Sequence, residues 1–186
     1  MARRVFFSFH YQRDIFRVNV VRNSGIVEGS AAAGFQDGSL WEETKKKGDA
    51  AVKRLIDRGL EGTSVTAVLI GAQTSNRQYV DYEIEQSINR GNGLLGIYIH
   101  QISIPFADDQ GAVPWRLSLA QAPVYHWDRT KFGDWVEQAY HRAQSDKLAA
   151  SIGGISKALA SYGAPRYQPE QVNPTAWGDI LKKYMK

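Results

Sequence analysis

The sequence predicts an α/β protein in which one parallel sheet of five strands is covered by helices on both faces, followed by a helical and loop-like C-terminal extension. Three observations lead there. The runs RVFFSF, TSVTAVLIG and LLGIYIH are mainly apolar on both faces and rich in β-branched and aromatic residues, the pattern of strands buried on both sides. Between them lie stretches whose apolar residues recur at helical spacing. A chain of 186 residues, 43% hydrophobic and 23% charged, is long enough for one domain of ordinary size and a small appendage.

The elements follow in order. Arg4 to Phe9 is strand one, and after the polar His10-Tyr11-Gln12 a helix over 14–23 buries Ile15, Val18 and Val21, with Phe16 and Val20 widening the face. Residues 24–38 carry four glycines and little periodicity, so they read as a loop leading to a short second strand at Ser39-Leu40-Trp41. Lys45 to Leu60 is a second helix with Ala51, Val52, Leu55 and Ile56 inward and Lys45 to Lys47 on its solvated face. TSVTAVLIG is the third strand. In the helix after it, Ser75 and Gln78 form a capping-box pattern, Val80, Ile84 and Ile88 an apolar stripe, and Gly91-Asn92-Gly93 the terminator. LLGIYIH repeats the strand pattern, with Gly96 marking a close backbone approach. Residues 101–122 are mostly loop, Val124 to Trp127 is the last strand, and Phe132 to Gln144 a helix turning Trp135, Val136, Ala139 and Tyr140 inward. Alternation of strands and helices implies a flavodoxin-like strand order over a domain of residues 1–145. The extension, 146–186, has a helical stretch broken at Gly153-Gly154, a proline-bearing loop and a short helix from Asp179 to Met185.

Composition narrows the function. The formal net charge of +4 favours an anionic ligand such as a phosphate-bearing metabolite, but without dense Lys/Arg runs it does not suggest a nucleic-acid binder. The absence of cysteine excludes disulfides, Cys-ligated zinc and thiol catalysis, and fits a cytoplasmic protein. No stretch has the shape of a signal peptide or approaches the roughly 20 apolar residues of a membrane span. The four histidines, His10, His100, His126 and His141, show no metal-ligand spacing, so neither a metal nor a bound cofactor is expected.

In an open parallel sheet, ligands bind outside the carboxyl ends of the strands where strand order reverses, here between strands one and three. The residues falling there are Ser8, Phe9, His10 and Tyr11 after strand one, Trp41 after strand two, and Gln73, Thr74, Asn76 and Arg77 after strand three, with Tyr79 and Glu83 on the next helix. They offer aromatics for stacking, hydroxyls and amides for a sugar, arginine for phosphate and one carboxylate. Each has a plainer reading. Phe9, Tyr11 and Trp41 can be packing residues, Ser8 can simply turn the chain, and Arg77 can be a surface charge. Glu83 falls on the edge of the apolar stripe, neither core nor fully solvated, and from the helix alone it reads as a boundary residue paired with Arg90 or a nearby lysine. A receiver domain lacks its acidic pair and phosphoacceptor here, and no glycine-rich dinucleotide turn or P-loop is present.

RRVFFSFHYQRDIFRVNVVRN, SLWE and SVTAVLIGAQTSNRQYVDYEIEQSI with the following GNGLLGIYI resemble the TIR-like family of the bacterial Thoeris antiphage system, the partner that makes a nucleotide signal. The resemblance runs in the same order and spacing from Arg3 to Ile99 and fades past Gln101. It implies a TIR fold that cleaves the nicotinamide glycosidic bond of NAD+ after infection, with NAD+ as substrate. It also implies Glu83, in the YEI segment, as the catalytic residue, and ligand contacts from Ser8 to Tyr11. The expected partners are NAD+, an effector reached through the nucleotide product, a phage-derived trigger and further copies of the chain. No nucleic acid or membrane is expected.

Residue chemistry agrees. Ordinary glycosidases need two carboxyl groups, one of them to protonate the leaving oxygen. Nicotinamide leaves a pyridinium as a neutral ring, so one carboxylate that stabilises the ribosyl cation suffices. Water then gives ADP-ribose, and a hydroxyl of the same molecule gives a cyclic isomer. Two other readings stay open: a non-enzymatic TIR-type interaction module, and an enzyme acting on another adenine nucleotide.

Overall fold

The computed structural model describes residues 3–25, 28–29, 43–102 and 108–161, except for the side chains of 28–29 and 152–161. Its strands are β1 (Arg4–Ser8), β2 (Glu28–Gly29), β3 (Val65–Ile70), β4 (Gly93–Tyr98) and β5 (Val124–His126). Its helices are α1 (Tyr11–Arg22), α2 (Asp49–Leu60), α3 (Gln78–Arg90), α4 (Trp115–Leu119) and α5 (Phe132–Ser161). The strands pair in parallel in the order β2-β1-β3-β4-β5, β2 being only a two-residue edge against Arg4 and Val5. That edge comes from the stretch read as loop; the expected strand at Ser39-Leu40-Trp41 lies outside the described residues.

Every residue of β3 is buried, as a β-branched run apolar but for Thr66 suits. Strand alternation sends Thr66, Val68 and Ile70 toward α3, where Val68 and Ile70 pack with Val80 and Ile84 of that helix and Leu117 of α4. Ser8 is the register partner of Val68 and shares this face. Phe7 therefore points the other way, where it stacks on Phe132 of α5 at 6.3 Å between ring centroids. Gly96 is crowded by side chains, not by backbone: an added Cβ would lie 2.9–3.0 Å from Leu117, Ile70 and Val124.

Helix α3 departs from expectation at both ends of its stripe. It starts at Gln78 with Arg77 as N-cap and no side-chain cap, so the Ser75–Gln78 capping box does not form. A tight 3₁₀ turn at Thr74–Asn76 comes first, and the Gly71 N–H donates to the Thr74 hydroxyl at 2.9 Å. The chain leaving β3 must turn before it can coil, and the turn uses up the residues that would have capped the helix. Ile88 is 46% exposed, while Ser87 is buried. Four-residue spacing overshoots a turn by about 40° each time, so by the third repeat the stripe has rotated off the sheet. Gly91 ends the helix in the left-handed region, φ 68°, as expected.

Helix α1 buries Val18 and Val21, but Phe16 is 61% exposed and Asp14 and Arg17 are buried instead. Helix α5 continues through Gly153-Gly154 to Ser161 and keeps Phe132, Val136 and Ala139 inside. The segment expected to be mostly loop contains α4. The chain divides into two units, Met1–Lys147 and Leu148–Lys186, and the site described below lies in the first. The expected helix at 179–185 lies outside the described residues, and no described helix is long and apolar enough to cross a membrane.

Candidate active site

Because β2 lies on one side of β1 and β3 on the other, strand order reverses at β1 and a crevice opens beyond its carboxyl end. A cavity of about 330 Å³ occupies that position. Phe9, His10 and Tyr11 form one wall as the chain passes from β1 into α1, and Arg77 and Tyr79 form another at the start of α3, with Glu83 also lining it. With Asn76, the structure thus brings together six of the expected contact residues and the expected carboxylate, while Gln73 and Thr74 do not line the cavity. Ser8 is not on the wall: it is fully buried, and its hydroxyl lies behind Glu83. Trp41 lies outside the described residues.

Glu83 is 2% exposed, a buried residue and not the half-solvated boundary position expected from the helix. Val80 and Ile84 fasten α3 to the sheet and hold Glu83 against the end of β1, where its Oε2 accepts a hydrogen bond from Ser8 Oγ at 2.5 Å. Pairing with Arg90 does not occur, since Arg90 reaches Asp57 at 3.4 Å. A polar ladder fixes the backbone beneath the carboxyl. Asn92 donates to Thr66 at 3.4 Å, the Thr66 and Ser87 hydroxyls meet at 2.7 Å, and Ser87 donates to the Glu83 carbonyl at 2.6 Å. Burial pushes the Glu83 carboxyl up to about 8, opposed by the Ser8 hydroxyl, so the site favours its protonated form.

The rim has the opposite electrostatic character. Burial, followed by the nearby Arg77, Arg13 and Lys45, lowers the His10 imidazole below its ordinary range. Phe9 and Tyr11 lie 6.1 Å apart in a tilted arrangement, Phe9 nearly buried and Tyr11 partly open. Lys45 was missed as a site residue because it is one of three consecutive lysines with nothing in the sequence to single it out. Folding puts it on the cavity wall, while Lys46 and Lys47 stay exposed and away from it. Gln12 and Gln78 join the wall in the same way. Among the described residues, no group of three or more His, Asp or Glu side chains is placed to hold a metal ion.

Residues 6–103 match the family model described as Thoeris protein ThsB, TIR-like domain. This chain belongs to that family. It is also 44% identical over 153 residues to a protein of Bacillus cereus (strain MSX-D12) named putative cyclic ADP-D-ribose synthase ThsB1, covering 76% of this chain and 80% of the relative.

The TIR-like domain holds a second buried carboxyl near the same sheet edge. Asp14 of α1 is fully buried, and its Oδ1 lies 3.5 Å from Arg17, which also reaches Asp108 at 3.6 Å and donates to the Ile102 carbonyl at 3.1 Å. Arg13 grips Asp108 with two nitrogens at 2.8 and 2.9 Å. Burial raises Asp14 to about 6 against the pull of Arg17, and the Arg13 fork holds Asp108 down at about 2. A Cβ on Gly71, just past β3, would overlap the Asp14 carboxylate, so this TIR-like domain needs glycine there. The cluster ties α1 to the segments after β3 and β4.

Proposed function

We propose that this chain is an antiphage defence enzyme of the cytoplasm that cleaves the nicotinamide glycosidic bond of NAD+, with Glu83 as its catalytic carboxylate. The ADP-ribose half then closes into a cyclic signalling nucleotide that activates a separate effector. The observation that carries the reading is a single buried carboxyl on the wall of the crevice at the point where strand order reverses. Membership of the Thoeris TIR-like family supports it, as does the name of the Bacillus cereus relative.

The chemistry needs little more. The nicotinamide end enters the cavity, which has the volume of a small-ligand pocket. Phe9 and Tyr11 offer aromatic surface to the ring, and Glu83 lies beside the ribose. As the carbon–nitrogen bond breaks, its electron pair stays on the ring nitrogen and neutralises the pyridinium, so no acid is required. Positive charge gathers on the ribose, and a carboxylate in a dry pocket stabilises it strongly because no water competes. The cations Lys45 and Arg77 suit the diphosphate that joins the two halves of the substrate. If the pocket holds that chain folded, an internal nucleophile reaches the ribosyl carbon before water does, and the product is cyclic.

Mass spectrometry of small molecules from phage-infected cells provides the test. Cells with the wild-type chain should lose NAD+ and accumulate a cyclic ADP-ribose isomer, and cells with Glu83→Gln should do neither. Nicotinamide release by Glu83→Gln at the wild-type rate would overturn the assignment. Defence that survives Glu83→Gln but is lost on changes to helix surfaces would favour a module that works by surface contact alone.

A further inference from the structure

The proposed mechanism needs a charged Glu83, yet among the described residues none makes an ion pair with it. Its Oε2 has Ser8 Oγ as partner. The titratable groups on the shared cavity wall are His10 and Tyr11 from the turn after β1, Lys45 from the segment before α2, and Arg77 and Tyr79 from the entry to α3. None of them is among the influences on its proton, which are burial and the Ser8 hydroxyl alone. The missing positive charge is carried by the substrate: the nicotinamide ring of NAD+ is a permanent cation, and NADH is the same molecule with a neutral ring.

We propose that Ser8 is a positioning residue for Glu83, and that the pair couples binding of a cationic pyridinium to release of one proton. The inference rests on Glu83 meeting the nicotinamide end of the substrate. When the ring enters, the O–H bond of the Glu83 carboxyl breaks, its electron pair stays on oxygen, and the proton passes to solvent through the mouth of the cavity. A neutral acid is replaced by a carboxylate facing a cation, which a low-dielectric site favours. Ser8 contributes in two ways. Its hydroxyl donates to Oε2, a bond worth more to the ionised than to the neutral carboxyl, and it holds that oxygen back so that Oε1 is the one left for the ribose. The device selects for the oxidised dinucleotide and keeps a bare buried charge from persisting when the site is empty.

Calorimetric titration in buffers of different ionisation enthalpy counts the proton directly. The probes are carba-NAD+, which keeps the cationic ring but cannot be cleaved, and NADH. Wild-type protein should release about one proton per carba-NAD+ near pH 7 and none well above the carboxyl's own titration, whereas NADH should bind more weakly and release none. Glu83→Gln should release none with either. Ser8→Ala should move the midpoint of release upward by about 0.5–1 pH unit, and Ser8→Cys, which keeps the volume with a weaker donor, by less. Thermal melts establish that each variant is folded, and Ser8→Cys carries the comparison if Ser8→Ala is not.

Binding of carba-NAD+ without proton release would overturn the coupling and leave the NAD+ reading intact. Proton release with the same midpoint in wild type and the Ser8 variants would reduce Ser8 to a packing residue. Failure of wild type to bind either dinucleotide would sink the substrate assignment and the coupling with it.

Discussion

Glu83 and Asp14 are both buried carboxyl groups near one edge of one sheet, but Asp14 lies in a cluster with Arg17, Asp108 and Arg13, whereas Glu83 has a serine hydroxyl and an open cavity. The contrast separates structural from chemical burial. A carboxyl that braces the fold is given internal cations, because a buried charge left unpaired is costly. A carboxyl that is to meet a cationic substrate, as proposed for Glu83, has to go without, since an internal partner would already have spent its charge. Burial raises both groups, opposed at Glu83 by a serine hydroxyl and at Asp14 by Arg17.

The sharpest way to break this comparison is to neutralise each group in turn. Glu83→Gln keeps size and polarity and should lower the rate of nicotinamide release by about 10²–10³ or more, measured on activated protein, with no loss of stability at neutral pH. Arg17→Met should do the reverse. It leaves Asp14 and Asp108 without a buried partner and should cost about 3 kcal/mol in urea unfolding, while the turnover of protein that remains folded changes by less than about threefold. If Arg17→Met abolished chemistry at full stability, the brace and the site would be one unit and the distinction would fail.

The pH dependence of stability sharpens the contrast further. The folded-state value of Glu83 is raised to about 8, above that of an unfolded carboxyl, so the folded protein holds the extra proton in between. The stability this group contributes is complete below the unfolded value and is lost as pH rises through about 8. Denaturant midpoints compared between wild type and Glu83→Gln should therefore converge in mild acid and diverge in the variant's favour toward pH 9. Asp108 behaves oppositely: its value of about 2 gives stability present above the unfolded value and lost as pH falls toward 2. The smallest effect is expected at the rim. Lys45→Gln should raise the KM for NAD+ by about three- to tenfold with kcat nearly unchanged, and added salt should narrow the gap, because an exposed cation acts mainly on binding.

Much of this was legible in the sequence. The principal strands stood out because a strand buried on both faces is mainly apolar on both, and TSVTAVLIG is so apart from Thr66 and the two polar residues that precede the strand. Glu83 was legible because helical spacing put it near the sheet-facing stripe and because the YEI segment matched a known family. Local signals misled where a larger constraint overrode them. The Ser75–Gln78 pattern was a sound cap that the turn at Thr74 displaced, and Phe16 looked like core until Asp14 and Arg17 took the inward positions. A charged residue gives no sign in sequence that its partners will arrive from Ile102 and Asp108, far along the chain.

The sequence by itself determined the class of fold and the order of its principal elements, because periodicity is a property of short stretches read one at a time, and its resemblance to a known family is what singled out Glu83. Only the tertiary structure decided that Ser8 lies behind Glu83 and not on the cavity wall, that Lys45 and not its neighbours faces the cavity, and that one buried acid is braced by arginines while the other has a serine hydroxyl. Those outcomes depend on distances between residues far apart in the chain, and the charge state of a buried group is set by everything that surrounds it.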